Sequence, residues 1–360
     1  MNNDFKRIVV KIGSNVLAEE EQGLQRGRIR SLVDQVVGLK ERGMQVLLVS
    51  SGAVAAGRSV LPGSEDMNKV VRRQVLSAVG QTELMNIYQQ YFRERSCHVA
   101  QVLATKEDFR DRRHYLNMKN CLYGLLRDDI VPILNENDVV SVTELMFTDN
   151  DELAGLVAAM VNAQALIILS SVDGVLTGPP GAAGSVLIPE IDPIDARFEE
   201  YILPSKSSFG RGGMHTKFRI ARKAARLGIT TFVANGRRTG ILPGILSGKV
   251  VCTRFPPQRE QSNVKKWLAH QEKEEKARLH VNLGAAEALL SEEKVSSLLP
   301  VGIERIEGRF KKGDIVTIWH DDEQIGIGLA QYGARSATAY LGQRGKKALV
   351  HYDYLLVTKR

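Results

Sequence analysis

Two lysines occupy positions where lysine needs a reason. Lys11 follows Ile8-Val9-Val10 in a run that reads as a strand buried on both faces, where an unpaired ammonium is rarely tolerated. Either its charge points at an anion beyond the strand end, or the side chain snorkels from an edge. Lys217 closes Phe209-Gly210-Arg211-Gly212-Gly213-Met214-His215-Thr216-Lys217, where a glycine-rich loop enters a helix. Glycines let the backbone approach a ligand closely, and a helix N-terminus presents free N–H groups and a positive dipole end. A cation in that first turn is unfavourable unless an anion compensates, so the segment suits a polyphosphate. A third polar set joins Asn135-Glu136-Asn137-Asp138 to Thr148-Asp149-Asn150-Asp151. Its amides and carboxylates could hold the ammonium and carboxylate of an amino acid, and an acid between two lysines could hold both in place. Capping alone would account for Asp149 or Asn150, since the second segment opens a helix.

These residues need elements to carry them. Apolar runs at 7–12, 45–49, 98–103, 130–134, 165–169 and 230–234 read as strands. Helical spacing fills 27–42, 69–95, 112–127, 151–162 and 215–227 between them. The alternation predicts an α/β fold: a mostly parallel central sheet covered on both faces, a three-layer sandwich. In such sheets ligands bind beyond the carboxyl ends of the strands. Small, polar or glycine residues recur at those ends: Lys11-Ile12-Gly13-Ser14, Ser50-Ser51-Gly52-Ala53, Asn135 to Asp138, Ser170-Ser171-Val172-Asp173-Gly174 and Ala234-Asn235-Gly236. The pattern stops at Pro256-Pro257. The expected division is therefore a catalytic domain over 1–255, a polar connector over 256–279 and a small β-barrel over 280–360. In the last, a helix at 284–290 precedes short strands around 302–306, 315–319, 324–329 and 349–351.

Composition narrows the function classes. With 360 residues, 43% hydrophobic and 25% charged, the chain is long enough for two cores and is not a disordered sequence. Its charge of +8 is dispersed, without the dense basic cluster of a nucleic-acid binder. The apolar runs are too short for a membrane span, and the N-terminal one is too short for a signal peptide, so a cytoplasmic location is expected. Cys97, Cys121 and Cys252 form no CxxC pair and are expected to be buried free thiols. No HExxH, GxSxG, Walker A or GxGxxG pattern occurs.

Taken together the segments resemble the amino acid kinase family. The matching stretches are VVKIGSNVL at 9–17, VSSGAVAAGR at 49–58, LSAVGQ at 76–81, NENDVV at 135–140, TDNDELA at 148–154 and GRGGMHTK at 210–217. SSLLPVGI at 296–303 and GRFKKGDIV at 308–316 look like a PUA domain. The resemblance is to the branch that uses ATP to phosphorylate the γ-carboxylate of L-glutamate, the first step of proline synthesis, with proline as feedback inhibitor. It implies that Lys11 and Lys217 stabilise the transferring phosphoryl group, that Asp151 orients them, and that Gly13 and Gly52 lend backbone N–H groups. Ser51, Asn135, Asp138 and Asn150 would hold glutamate. Lys11, Ser170, Ser171 and residues 211 to 217 (Arg211, Gly212, Gly213, Met214, His215, Thr216, Lys217) would contact ATP. Mg2+ would be held mainly by the nucleotide phosphates, with no metal site in the chain, and a homo-oligomer, dimer or tetramer, is implied.

The chain departs from the family pattern at Ser170-Ser171, where Thr-Asp is usual, and at Arg211, where threonine is usual. The loop Gly178 to Gly184 lacks the usual acidic residue. These changes bear on nucleotide use. The competing readings are a kinase of the same fold with another acceptor, a regulatory homologue, and an RNA-linked protein acting through the PUA-like tail. The tail's eleven basic and ten acidic residues do not favour RNA.

Overall fold

A computed structural model describes residues 5–19, 23–62, 67–140, 147, 149–195, 197, 213–258, 265, 268, 276–291 and 296–357. The chain divides into two units, residues 1–260 and 261–360.

The first unit opens with β1 (Arg7–Ile12), the short α1 (Ser14–Leu17), and a small hairpin of β2 (Ala18–Glu19) and β3 (Gly23–Leu24). Then follow α2 (Arg26–Lys40), β4 (Gln45–Ser50), α3 (Ala53–Val60), α4 (Lys69–Arg93), β5 (Val99–Ala104), α5 (Lys106–Arg110), α6 (Arg112–Arg127) and β6 (Val131–Glu136). The unit continues through α7 (Asn150–Met160), β7 (Ala165–Ser170), α8 (Met214–Arg226), β8 (Thr230–Asn235), α9 (Ile241–Leu246) and β9 (Thr253–Phe255). Seven strands form one sheet in the order β5-β6-β4-β1-β7-β8-β9, parallel except for β9 against β8. This is the covered parallel sheet expected from the strand–helix alternation.

Alternation along β1 sorts its side chains between the two helical layers. Ile8, Val10 and Ile12 enter a core shared with α2, α4 and α9. Val9 and Lys11 point to the opposite face, where α7 packs on β1. The strand order changes direction around β1: the chain first builds β4, β5 and β6 on one side, then β7 to β9 on the other. The carboxyl ends of the parallel strands therefore meet the starts of α1, α3, α7 and α8 along one edge, the usual place for a ligand.

Several short elements lie outside the sequence expectation, among them α3, α9 and β9. α3 is rich in alanine and glycine and fits against α4 through Gly57 and Gly80. A Cβ on Gly80 would meet the Ala53 carbonyl oxygen at 1.8 Å, and one on Gly57 the Leu76 oxygen at 2.0 Å. α9, ILPGIL, has poor helix propensity, and burial of Ile241, Leu242, Ile245 and Leu246 overrides it.

In the second unit, β10 (Ala277–Val281), α10 (Leu283–Leu290), β11 (Ile303–Gly308), β12 (Ile315–His320), β13 (Glu323–Ala330), α11 (Ala334–Tyr340) and β14 (Val350–Val357) surround their own core. The sheet order is β11-β10-β12-β13-β14, the β-rich, barrel-like architecture expected of the tail. β10 begins inside the stretch read as connector. Its period-two pattern, with Ala277, Leu279 and Val281 buried, is masked in sequence by the charged run before it. The rest of that connector, apart from residues 256–258, 265, 268 and 276, lies outside the described residues.

The thiols need a correction. All three cysteines are free, but none is buried: Cys121 is exposed and Cys97 and Cys252 are half-buried. Cys121 falls on the outward side of amphipathic α6, a face that sequence spacing around one cysteine did not flag. Among the described residues, no helix is long and apolar enough to cross a membrane.

Candidate active site

A cavity of about 840 Å³ opens at the carboxyl edge of the sheet. That is a typical ligand-pocket size. At its base lies a three-residue charge cluster. Lys11 Nζ is 2.6 Å from Asp151 Oδ1, and Lys217 Nζ is 2.8 Å from Asp151 Oδ2. Asp151 is fully buried, and the two lysines are only 4% and 7% exposed. The position of each follows from its element. Lys11 is the penultimate residue of β1, Asp151 lies in the first turn of α7, and Lys217 lies in the first turn of α8. The anion that a first-turn lysine requires is thus supplied from the neighbouring helix.

Burial would raise the Asp151 pKa, but the two ammonium groups outweigh it and hold the carboxyl down at about 2. Burial pulls Lys11 below its ordinary value despite Asp151. Burial acts the same way on Lys217, but there Asp151 prevails and the pKa is raised. The cluster carries two positive charges and one negative, so its net field favours an incoming anion. Asp149 caps α7 by accepting from Asp151 N at 2.9 Å and Glu152 N at 3.1 Å. Its other oxygen, Oδ2, is buried and has no hydrogen-bond partner among the described residues. Burial, and then the Asp151 charge, push its pKa up to about 7.

One wall is an amide network. Asn150 Nδ2 donates to Ser51 Oγ and to Asn135 Oδ1, each at 2.9 Å. Asn135 Nδ2 donates to Gln81 Oε1 at 2.8 Å. Asp138 accepts from Arg73 Nη2 at 2.5 Å and from Ser77 Oγ at 2.9 Å. The other wall is formed by Leu169, Ser170, Ser171, Val172, Pro180, Gly213 and Met214. α8 starts there at Gly213, which has no side chain to cap the helix, so its backbone N–H groups face the cavity side.

The amino acid kinase family model matches residues 6–235. The chain belongs to the amino acid kinase family. A PUA domain model matches residues 277–351. The chain is similar to a protein named glutamate 5-kinase from Bacteroides thetaiotaomicron, with 50% identity over 99% of this chain and all of that one. It is also similar to one of the same name from Chlorobaculum tepidum, with 47% identity over 98% and 97% of the two chains. A UMP kinase from Bacillus anthracis shares the fold, with a TM-score of 0.50 and 15% identity over 71% of this chain and 97% of that one.

Of the residues singled out in the sequence, Lys11, Gly13, Ser51, Gly52, Asn135, Asp138, Asn150, Ser170, Ser171, Gly213, Met214 and Lys217 all line this one cavity of the family fold. Asp151 lies behind the lysines. Three expectations change. Gly13 is not an open donor, because its N–H donates to the Leu169 carbonyl at 3.2 Å. His215 and Thr216 do not line the cavity: helical spacing keeps Gly213, Met214 and Lys217 on the cavity face, leaving His215 exposed and Thr216 buried. The end of β8 is also outside it, since Asn235 donates to Asp173 instead, at 3.1 Å. Thr148, Arg211 and Gly212 lie outside the described residues.

Sequence reading missed the basic rim. Lys69, Arg72 and Arg73 line the cavity from α4, joined by Arg58 from α3. The signal was present: 69, 72, 73 and 76 fall on one helical stripe, with three cations followed by an apolar residue.

Proposed function

We propose that this protein transfers the γ-phosphoryl group of ATP to the γ-carboxylate of L-glutamate, giving γ-glutamyl phosphate and ADP, the first step of proline synthesis. The observation that carries the reading is the buried Lys11–Asp151–Lys217 cluster at the base of a cavity walled on one side by Ser51, Asn135, Asp138 and Asn150. Relatives named glutamate 5-kinase, at 50% and 47% identity, support the choice of acceptor.

In the reaction a γ-carboxylate oxygen forms a bond to the γ-phosphorus as the bond from that phosphorus to the β,γ-bridging oxygen breaks. The carboxylate is already ionised at neutral pH, so no general base is needed. Catalysis then rests on positioning and charge stabilisation. Lys11 and Lys217 neutralise the transferring group, and Asp151 holds them apart at fixed positions. Ser51 and Asn150 present hydroxyl and amide groups to glutamate, with Asn135 orienting Asn150. Asp138 attracts the substrate ammonium, and Arg73 next to it provides a cation for the α-carboxylate. Ser170, Ser171, Gly213 and Met214 form the nucleotide side.

Mg2+ fits this site as a companion of the nucleotide. Magnesium binds readily through phosphates and one or two carboxylates. Asp149 Oδ2, buried and without a hydrogen-bond partner among the described residues, is the oxygen suited to it. When bound, the ion would neutralise phosphate charge. Proline as inhibitor and a homo-oligomeric state belong to the same reading; inhibition kinetics and light scattering test them.

The test is ADP release together with hydroxylamine trapping of any acyl phosphate, with ATP and Mg2+, comparing glutamate, aspartate, N-acetylglutamate and UMP as acceptors. Hydroxamate with glutamate alone supports the reading. Phosphorylation of UMP, or of the N-acetylated acid in preference, would overturn it.

A further inference from the structure

With the Gly13 N–H engaged, the Gly52 N–H is the remaining one of the two glycine donors expected at the phosphoryl group, and it has no acceptor among the described residues. Two residues that do not line the cavity lie behind it. Ser50 is 1% exposed and Tyr88, on α4, is fully buried. The Tyr88 hydroxyl lies 2.9 Å from Ser50 Oγ, which lies 3.0 Å from the Ser51 carbonyl oxygen. A carbonyl can only accept, so the single Ser50 proton goes to Ser51, and Tyr88 must be the donor to Ser50. The chain of hydroxyls therefore runs in one direction, from Tyr88 through Ser50 to the Ser51 carbonyl.

That direction has a consequence for the next peptide. In a planar trans peptide the C=O and N–H point in opposite directions. Anchoring the Ser51 carbonyl inward, towards α4, turns the Gly52 N–H away from α4 and towards the cavity that Gly52 lines. Gly52 itself, at φ +111°, has the conformational freedom to let this peptide rotate if the anchor is lost. We propose that Tyr88 and Ser50 form a hydroxyl relay that aims the Gly52 N–H at the transferring phosphoryl group, making Tyr88 a positioning residue for the reaction. The inference rests on the kinase reading above. The ring of Tyr88 packs beside Phe92, at 6.5 Å between centroids, and a phenylalanine would fill the same space. Burial pushes the Tyr88 hydroxyl up to about 12, so it remains a donor throughout the working pH range.

The experiment compares kcat and KM of the full chain with those of Tyr88→Phe, Ser50→Ala, the double variant and Ser50→Thr, each confirmed folded by its thermal midpoint. Losing one preorganised donor costs about 100-fold or more in kcat, and loosening one rather than deleting it should cost about tenfold. Tyr88→Phe should therefore lower kcat about tenfold with both KM values within about twofold, a loss confined to the transition state. Adding Tyr88→Phe to Ser50→Ala should cost nothing further, and Ser50→Thr, which keeps the hydroxyl, should retain activity. The relay is overturned if kcat of Tyr88→Phe stays within about twofold, if KM rises while kcat holds, or if the two losses multiply in the double variant. A parent chain that makes no acyl phosphate from glutamate would sink the kinase reading instead, so the two failures are distinct.

Discussion

Replacing Asp151 by asparagine tests the electrostatics of the site most severely. The side chain keeps its shape and loses its charge, so two nearly buried ammonium groups lose the carboxylate that bridges them. Removing one partner of a buried pair costs about 3–5 kcal/mol, because the remaining charge is uncompensated. For a unit of this size each kcal/mol lowers the thermal midpoint by roughly 2–4 °C. The ligand-free Asp151→Asn protein should therefore melt roughly 6–20 °C below the parent. Two further signatures separate this cause from a packing defect. A saturating nucleotide, at about 100 times its Kd, adds about 2.7 kcal/mol to any protein that binds it. In the variant the polyphosphate also supplies the missing negative charge, so its rescue should exceed that of the parent. The deficit should also shrink as pH rises towards 10: without Asp151, burial acts unopposed by it on both lysines and lowers their pKa, so they bind fewer protons folded than unfolded and stability rises with pH. Thermal melts with and without ATP from pH 7 to 10 read all three effects. A variant within about 2 °C of the parent without ligand, or a deficit unchanged by ATP and pH, would refute the charge-cluster account.

Other perturbations test separate parts. Lys217→Ala should lower kcat at least about 100-fold while KM for glutamate stays within about threefold; near-normal turnover would remove Lys217 from the phosphoryl group. Asp149→Asn keeps an N-cap and removes a carboxyl that the fold holds at about 7 against an ordinary value of 3.8. Between those values the folded parent retains a proton that the unfolded chain releases, so its ligand-free stability falls as pH rises. The melting advantage of Asp149→Asn should accordingly be near zero at pH 4 and full above pH 7, and an advantage that does not vary with pH would contradict the assignment. Gly80→Ala forces a methyl to within 1.8 Å of the Ala53 oxygen, so α3 must shift. The expected cost is about 1–3 kcal/mol, together with reduced turnover through the cavity wall that α3 carries, and a variant of parental stability would refute the tight packing.

The sheet and the charge cluster were legible because their signals are local. Six apolar runs marked the parallel strands, and Lys11 was conspicuous as a cation in a buried strand. What escaped depends on contacts between distant segments. That Gly13 gives its N–H to Leu169 follows from β1 lying beside β7, which no spacing around Gly13 reveals. His215 reads in sequence as part of its loop, although helical rotation carries it away from the cavity. The Arg58–Arg73 rim was visible as a stripe but became meaningful only once α3 and α4 met over the strand ends. Tyr88 reads in sequence as one more apolar-face aromatic of α4, and only its approach to Ser50, across 38 residues, gives its hydroxyl a task.

The central claim is that a carboxylate oxygen of glutamate attacks the γ-phosphorus directly. Glutamate labelled with 18O in the γ-carboxylate, incubated with ATP, Mg2+ and the enzyme, and then trapped with hydroxylamine, tests it. Hydroxylamine attacks the acyl carbon and releases phosphate with the bridging oxygen. The account predicts one 18O in each phosphate released. Unlabelled phosphate formed with glutamate present would mean that water, not the carboxylate, accepts the phosphoryl group, and would contradict it.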